Sequence, residues 1–461
     1  MEGSRAEPLR YPVAGNGKLG GPQALSDLLI VAGALMLAAS LPLVALRVLS
    51  FKPGLFPFLV LGTIVGIWLI RNPRWIVPCY IGLVWTSIEA AYFGGLPSPI
   101  ESAGLVLLAV ATWQALLRLD YTREVLIICG LIAIPLLAGG IASPEGMEVP
   151  VDALKNVTFL FLMALIVRTI KDVDRATVTL SWIGIFLGAG ALFSIFGHPT
   201  RLFPLKAPEF QFQVIAPRAA GPIGDPNFFA LVMAALVPFA LYLIACGRRR
   251  QWLGALATIL IIGGVLATGS RGGMLAVGFA IVTCGIVMPV RRLRVVATVV
   301  VVLTLVALPL FAIQRQDAEG RSTEGRLTEN KIALAMFADH PVTGVGPKQY
   351  PPLYRDYSRN IGNDTRPIRE PHSLPLEVAA EQGIAGILGW LVAFAAVFRF
   401  ALRRGIWDLL LGRALALAVA TYMVASLFLH GSEIRLLWVL LGLVMALGHA
   451  VSREAPEARS A

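Results

Sequence analysis

The chain has 461 residues, of which 57% are hydrophobic and only 15% charged, with a mean hydropathy of +0.74. That balance excludes a water-soluble globular fold and points to an all-α, polytopic helical membrane protein. The formal charge of +11 sits in short clusters between apolar runs rather than along one soluble face, so it marks topology and argues against a nucleic-acid partner.

Residues 1–23 are polar and Gly-rich, without the charged, apolar and cleavage regions of a removable signal peptide, and read as a cytoplasmic tail. A bilayer core takes about 20 mostly apolar residues per helix. Fourteen segments approach that length: 24–46, 54–70, 75–93, 100–117, 125–141, 151–167, 176–196, 226–246, 252–268, 273–288, 295–313, 374–398, 414–429 and 436–451. The second and sixth are the weakest and can equally be interfacial or re-entrant, which sets the expectation at about 12–14 transmembrane helices. Residues 24–313 then hold the first eleven spans, 374–451 the last three, and 452–461 a cytoplasmic tail.

Threading the spans alternately from a cytoplasmic N-terminus puts Arg71/Arg74, Arg118/Arg123, Arg168/Lys171/Arg175, Arg248/Arg249/Arg250, Arg291/Arg292/Arg294 and Arg399/Arg403/Arg404 on one side, as the positive-inside rule requires. Arg47 and Lys52 are the exception. Two outer connections are long, 197–225 and 314–373, and these are where chemistry is expected. In the larger one, residues 323–338 place Leu327, Ile332, Leu334, Ala335 and Phe337 among charges, the pattern of a short amphipathic helix ended by His340-Pro341. A Gly/Pro-punctuated, aromatic-bearing loop follows, and no internal repeat is visible. Cys79, Cys129, Cys246 and Cys284 lie in or beside apolar spans, so neither a disulfide framework nor a Cys-based metal site is expected.

Three polar groupings stand out. Arg271, in "ATGSRGGM", falls in an outer turn, where it does not set topology. Its glycines permit close backbone approach, Ser270 can cap the following helix, and free N–H groups beside a guanidinium suit phosphate oxygens. Taken alone the pentapeptide reads more readily as a Gly turn whose Arg snorkels to headgroups. Arg218, in "APRAAGPIGDPNFFA", lies in the other long outer segment, with Asp225 placed to cap the helix begun by Pro226. His372 opens the span after the large loop, with Glu377 and Glu381 one turn apart just below it. Imidazole takes a proton near neutral pH, and acids within a span are functional more often than not. Arg326, Lys348 and Arg435 are further outer cations. Asp172-Val173-Asp174 matches a DxD pattern but falls on the cytoplasmic side as a helix start, and no His/Cys/Asp cluster has metal-ligand spacing.

The segments "GDPNFFA", "GSRGG", "GRLTENKIALAMFADHPVTGVGPKQY" and "PHSLPLEVAAEQGIAGILGWL", in that order over residues 218–391, resemble the O-antigen ligase and polysaccharide polymerase superfamily of bacterial inner-membrane glycosyltransferases. The resemblance implies a GT-C-like, metal-independent, inverting transferase needing no cofactor, which takes glycan from undecaprenyl diphosphate on the periplasmic face. It implies Arg218 and Arg271 as diphosphate binders and His372 as the residue activating the acceptor hydroxyl. Ser270, Glu377, Arg326, Lys348 and Arg435 are expected to contact substrate. A ligase would use a lipid A-core-like or other acceptor, and a polymerase a second lipid-linked glycan; the His-led span leans toward ligase. A glycolipid transporter or flippase is the rival from another class. Glu89, Glu101, Arg218, Arg271, His372 and Glu377 all fall at outer span ends or in outer loops, which favours a reaction site on one face.

Overall fold

The computed structural model describes residues 64, 68, 72, 75–86, 157, 159–164, 166–206, 217–299, 316–360, 371–429 and 435–460. The expected spans 24–46, 100–117 and 125–141, nearly all of 54–70, and most of 295–313 lie outside these, as do Glu89, Glu101, Cys129, His430 and the loop 361–370.

Among the described residues the regular structure is helical apart from one pair of two-residue strands, and forms a polytopic bundle. In chain order it contains α1 (Ile76–Thr86), α2 (Ile170–Ile195), the paired strands β1 (Leu205–Lys206) and β2 (Arg218–Ala219), a 3-10 turn (Gly221–Ile223), α3 (Pro226–Ala234), α4 (Val237–Ala245), α5 (Arg248–Thr268) and α6 (Arg271–Val287). Then follow α7 (Gln316–Asp339), α8 (Tyr350–Asn360), α9 (Leu374–Ala401), α10 (Arg404–Trp407), α11 (Leu410–Ser426) and α12 (Arg435–Ser460). Five described segments are long and apolar enough to cross a membrane: Ile170–Ile195, Pro226–Ala245, Arg249–Thr268, Leu374–Ala401 and Arg435–Glu454.

The segment α3–α4 is the centre of the bundle. It packs on α5, α6 and α11, and its hydrophobic residues from Phe229 to Leu241 are each at most 1% exposed. A helix apolar all round belongs there. It is broken at Ala235–Leu236 because Pro238 has no N–H to give the carbonyl of Ala234 and its ring crowds that carbonyl. Around it, α2 and α5 meet closely through Gly188 and Gly264, where a Cβ on either would strike the opposing helix.

Polar contacts sort the helix ends into two sets. At one end Asp174 takes Arg250 (2.6 Å) and the Tyr242 hydroxyl (2.8 Å), and Arg292 donates to Gln251. There too Arg413 donates to the Val287 carbonyl and Glu454 accepts from the Ile170 N–H. This is the arginine-rich end. The DxD pattern belongs to it: Asp172 completes a capping box with Thr169, and Asp174 ties α2 to α4 and α5. At the opposite end lie the hairpin, the α5–α6 turn, the starts of α3 and α9, and the packed helices α7 and α8.

The large loop is partly helical, as its periodicity suggests, but the amphipathic helix is longer than 323–338, running Gln316–Asp339. Its buried stripe, Glu329, Ile332, Ala333 and Met336, follows the i, i+3, i+4, i+7 rule and packs on Tyr350 and Tyr354 of α8 and Ala380 of α9. Helix α9 is not continuous. Gly383 sits at φ 62°, ψ −157°, a region open almost only to glycine, and the ladder breaks there. The groups released are taken up by the loop between α7 and α8. Val345 and Gly346 donate to the carbonyls of Ala380 and Glu381 (2.9 and 3.0 Å), while Ile384 and Ala385 donate to those of Pro341 and Val342 (2.8 and 3.1 Å). Irregular backbone within a span is stable only when satisfied in this way. The clasp fixes the outer loop to the helix that His372 precedes.

Candidate functional site

Ser270 is the N-cap of α6 and accepts from the Gly273 N–H at 3.3 Å, so the helix starts at Arg271 itself. Gly269 ends α5 in the left-handed region (φ 61°), and this reversal sets the exposed Arg271 on the positive end of α6. Arg218 arrives from the hairpin. Its Nε donates to the Thr268 carbonyl at 2.6 Å and its Nη2 to Asn227 Oδ1 at 2.8 Å. Two cations fifty-three positions apart in sequence are thereby brought to one turn. Asn227 is fixed in turn because Asp225, the N-cap of α3, accepts from the N–H groups of Asn227 and Phe228. Lys206, across the hairpin, pairs with the same Asp225 at 3.5 Å. Asp225 is therefore a cap and an anchor for the loop.

Arg326, one turn before Glu329 on α7, lies within electrostatic range of Arg271. Burial, and then repulsion from Arg271, hold its guanidinium below the usual range, with Glu329 partly opposing them. Two guanidiniums thus lie near each other, one of them partly desolvated. His372, in the turn entering α9, sets Nδ1 3.9 Å from Oε2 of Glu329, whose side chain is 1% exposed. Tyr350 links the same region: its hydroxyl donates to the Glu329 carbonyl at 2.8 Å, and its N–H donates to Glu381 Oε1 at 3.2 Å. Burial and the nearby Glu329 raise the titration of that hydroxyl well above the ordinary tyrosine range.

The two span carboxylates thus have separate surroundings. Glu381 caps the start of α8, a structural task, whereas Glu377 is buried on α9 within electrostatic range of Tyr422 on α11. Lys348 occupies the left-handed region (φ 61°), unusual for a residue with a Cβ, in the turn before α8. Arg435, first residue of α12, stacks 5.8 Å from the Phe159 ring. The residues that converge are Arg218, Ser270, Arg271, Arg326 and His372. Glu329 and Asn227 join them without having stood out in the sequence. Glu329 hides in an amphipathic helix, where a glutamate ordinarily faces water; its signal is its register, on the buried stripe with Ile332, Ala333 and Met336. Among the described residues no group of three or more His, Cys, Asp or Glu side chains is placed to hold a metal ion.

The fold and this cluster define a class: a multi-pass helical membrane protein with arginines and a histidine gathered at helix ends and connections on one side of the bundle. Residues 256–391 match the family model described as O-antigen ligase, which supports the O-antigen ligase and polymerase superfamily. The match covers the Arg271 turn, α7 and the His372 entry to α9, and implies a glycosyltransferase activity of the ligase or polymerase type. It also implies glycan and lipid-linked substrates in a membrane setting. Arg218 and Arg435 lie outside the matched segment. No curated protein matches the chain.

Proposed function

We propose that the protein transfers a glycan from undecaprenyl diphosphate to an acceptor hydroxyl at the periplasmic face of the bacterial inner membrane, as an inverting, metal-independent ligase. The observation that carries this reading is the convergence of Arg218 and Arg271 on one turn, with Arg326 in electrostatic range of Arg271 and His372 approaching Glu329, one turn further along the helix that carries Arg326. As the bond from the anomeric carbon to the diphosphate oxygen breaks, its electron pair passes to the leaving diphosphate. The Arg218 guanidinium, fixed by the Thr268 carbonyl and Asn227, and Arg271 at the start of α6 stabilise that charge. His372 takes the proton of the acceptor hydroxyl as its oxygen bonds to the anomeric carbon from the opposite side, so one base suffices. The arginine-rich end of the bundle supports this orientation, since the positive-inside rule favours such an end in the cytoplasm and the site lies at the opposite one.

Polymerisation onto a second lipid-linked glycan uses the same donor chemistry and is the alternative within the family. A glycolipid transporter is a second reading, favoured by the two interrupted spans at Ala235–Leu236 and Gly383. The test is purified protein in lipid nanodiscs with a polyprenyl-diphosphate glycan, candidate acceptors and EDTA, read by mass spectrometry. Release of polyprenyl diphosphate that is lost in Arg271→Ala, with glycan on a lipid A-core acceptor, fits a ligase. Glycan on a second lipid-linked chain fits a polymerase, and intact donor with every acceptor overturns the transferase.

A further inference from the structure

We infer that Glu329 is a positioning residue for His372: its buried carboxylate orients the imidazole and holds the Nδ1 proton, leaving the other ring nitrogen to meet the acceptor. The inference rests on the transferase reading for what His372 does, and on geometry for the pairing.

Glu329 occupies the first position of the α7 stripe whose other members, Ile332, Ala333 and Met336, bury apolar surface against Tyr350, Tyr354 and Ala380. Packing alone would be served there by an aliphatic side chain, because taking a carboxylate out of water is costly unless something compensates for it. A guanidinium and an imidazole flank it. Arg326 lies one turn back on the same helix, in electrostatic range, and His372 presents Nδ1 to Oε2 at 3.9 Å. That separation exceeds a hydrogen bond yet is close enough for charge pairing once the imidazole is protonated. Sites of this kind often tighten only when substrate is bound. The ring itself is 23% exposed while its partner is 1% exposed, so the carboxylate stands behind the imidazole rather than in the substrate's path. When the imidazole accepts the acceptor's proton through its far nitrogen, it becomes a cation beside a fixed anion. No further proton transfer is required, because the Nδ1 proton remains on the ring.

The charged and titratable groups on the elements around His372 include Arg326, Glu329, Lys331 and Asp339 of α7, His340 after it, Arg271 of α6, Lys348 before α8, Tyr350, Tyr354, Arg355, Asp356, Tyr357 and Arg359 of α8, Glu377 and Glu381 of α9, and Tyr422 of α11. Glu329 is the carboxylate with a described approach to the ring. Neutralising it lowers the basicity of His372, whereas a role confined to Arg326 would leave the ring's titration where it is.

The test uses the full chain in nanodiscs as wild type, Glu329→Gln and Glu329→Asp. Titration of His372 is followed by 15N-histidine NMR, its resonance assigned by loss in His372→Gln, and kcat/KM for polyprenyl-diphosphate release is measured against pH. Glu329→Gln is expected to move the His372 titration, and the acid limb of the rate profile, down by about one pH unit or more. It is also expected to lower the plateau of kcat about tenfold or more. Glu329→Asp, which keeps the charge, recovers most of the shift. An unmoved His372 titration in a folded Glu329→Gln protein overturns the inference, as does a loss that appears only in donor KM. If the NMR shift is present and no variant, wild type included, releases polyprenyl diphosphate, the pairing stands and the transferase reading falls.

Discussion

Arg218→Lys is the substitution whose cost can be worked most fully from the geometry. In the native protein Arg218 commits its Nε–H to the Thr268 carbonyl and one Nη2–H to Asn227 Oδ1, which fixes the plane of the guanidinium against the turn carrying Arg271. An ammonium has three donors on a single atom. If two of them reproduce the bonds to Thr268 and Asn227, one is left for phosphate and the flat fork that engages two oxygens at once is gone. Loss of one preorganised donor to a developing anion costs about 2.7–4 kcal/mol, or about 10²–10³ in rate. The diphosphate is anionic before the reaction begins, so part of that loss should fall on donor KM and the larger part on kcat. Steady-state release of polyprenyl diphosphate measures both, with thermal unfolding of the same samples as a control for folding. A folded Arg218→Lys protein within about threefold of wild-type kcat/KM would refute the fork argument, since a point charge would then serve as well.

Three further outcomes are expected. Arg271→Lys should also lose most activity, but with little loss of stability, because Arg271 is exposed at the start of α6 where any cation can reach solvent; the comparison of kcat/KM with unfolding temperature checks it. His372→Ala should abolish transfer while donor affinity, measured by titration into nanodiscs, stays within a few fold of wild type; joint loss would make it a substrate anchor instead. Gly383→Ala should destabilise the protein by about 2–4 kcal/mol from forced backbone strain and broken clasp bonds. It should reduce transfer in proportion to the folded fraction and beyond it, since the clasp aligns α7 with the His372 turn.

The sequence was most informative where a local rule leaves one solution. Asp225 before a proline and Ser270 before "RGG" are helix caps in the structure, because free N–H groups at a helix start need a nearby oxygen. Within the described residues the apolar runs of span length are helices, and the loop's 3.6-residue periodicity is that of α7. What was not legible depends on partners distant in sequence. The break at Gly383 needs the carbonyls of Pro341 and Val342 some forty residues earlier, so "EQGIAG" reads locally as an uninterrupted apolar helix. The break in α3–α4 had a visible cause in Pro238, whose effect on the carbonyl of Ala234 is local. Arg218 and Arg271 were each legible as outer cations, but their meeting depends on the hairpin that carries Arg218 onto the Thr268 carbonyl. Glu381, grouped with Glu377 by spacing, turned out to cap α8, a helix whose start no pattern near Glu381 announces.

The measurement closest to the central claim is a cryo-electron microscopy structure of the protein in nanodiscs with an intact polyprenyl-diphosphate glycan. The account predicts both phosphates seated at the Thr268–Arg271 turn between the Arg218 and Arg271 guanidiniums, with the first sugar toward His372. Phosphates found at the opposite, Asp174–Arg250 end of the bundle, or a donor held with its diphosphate clear of both arginines, would contradict it.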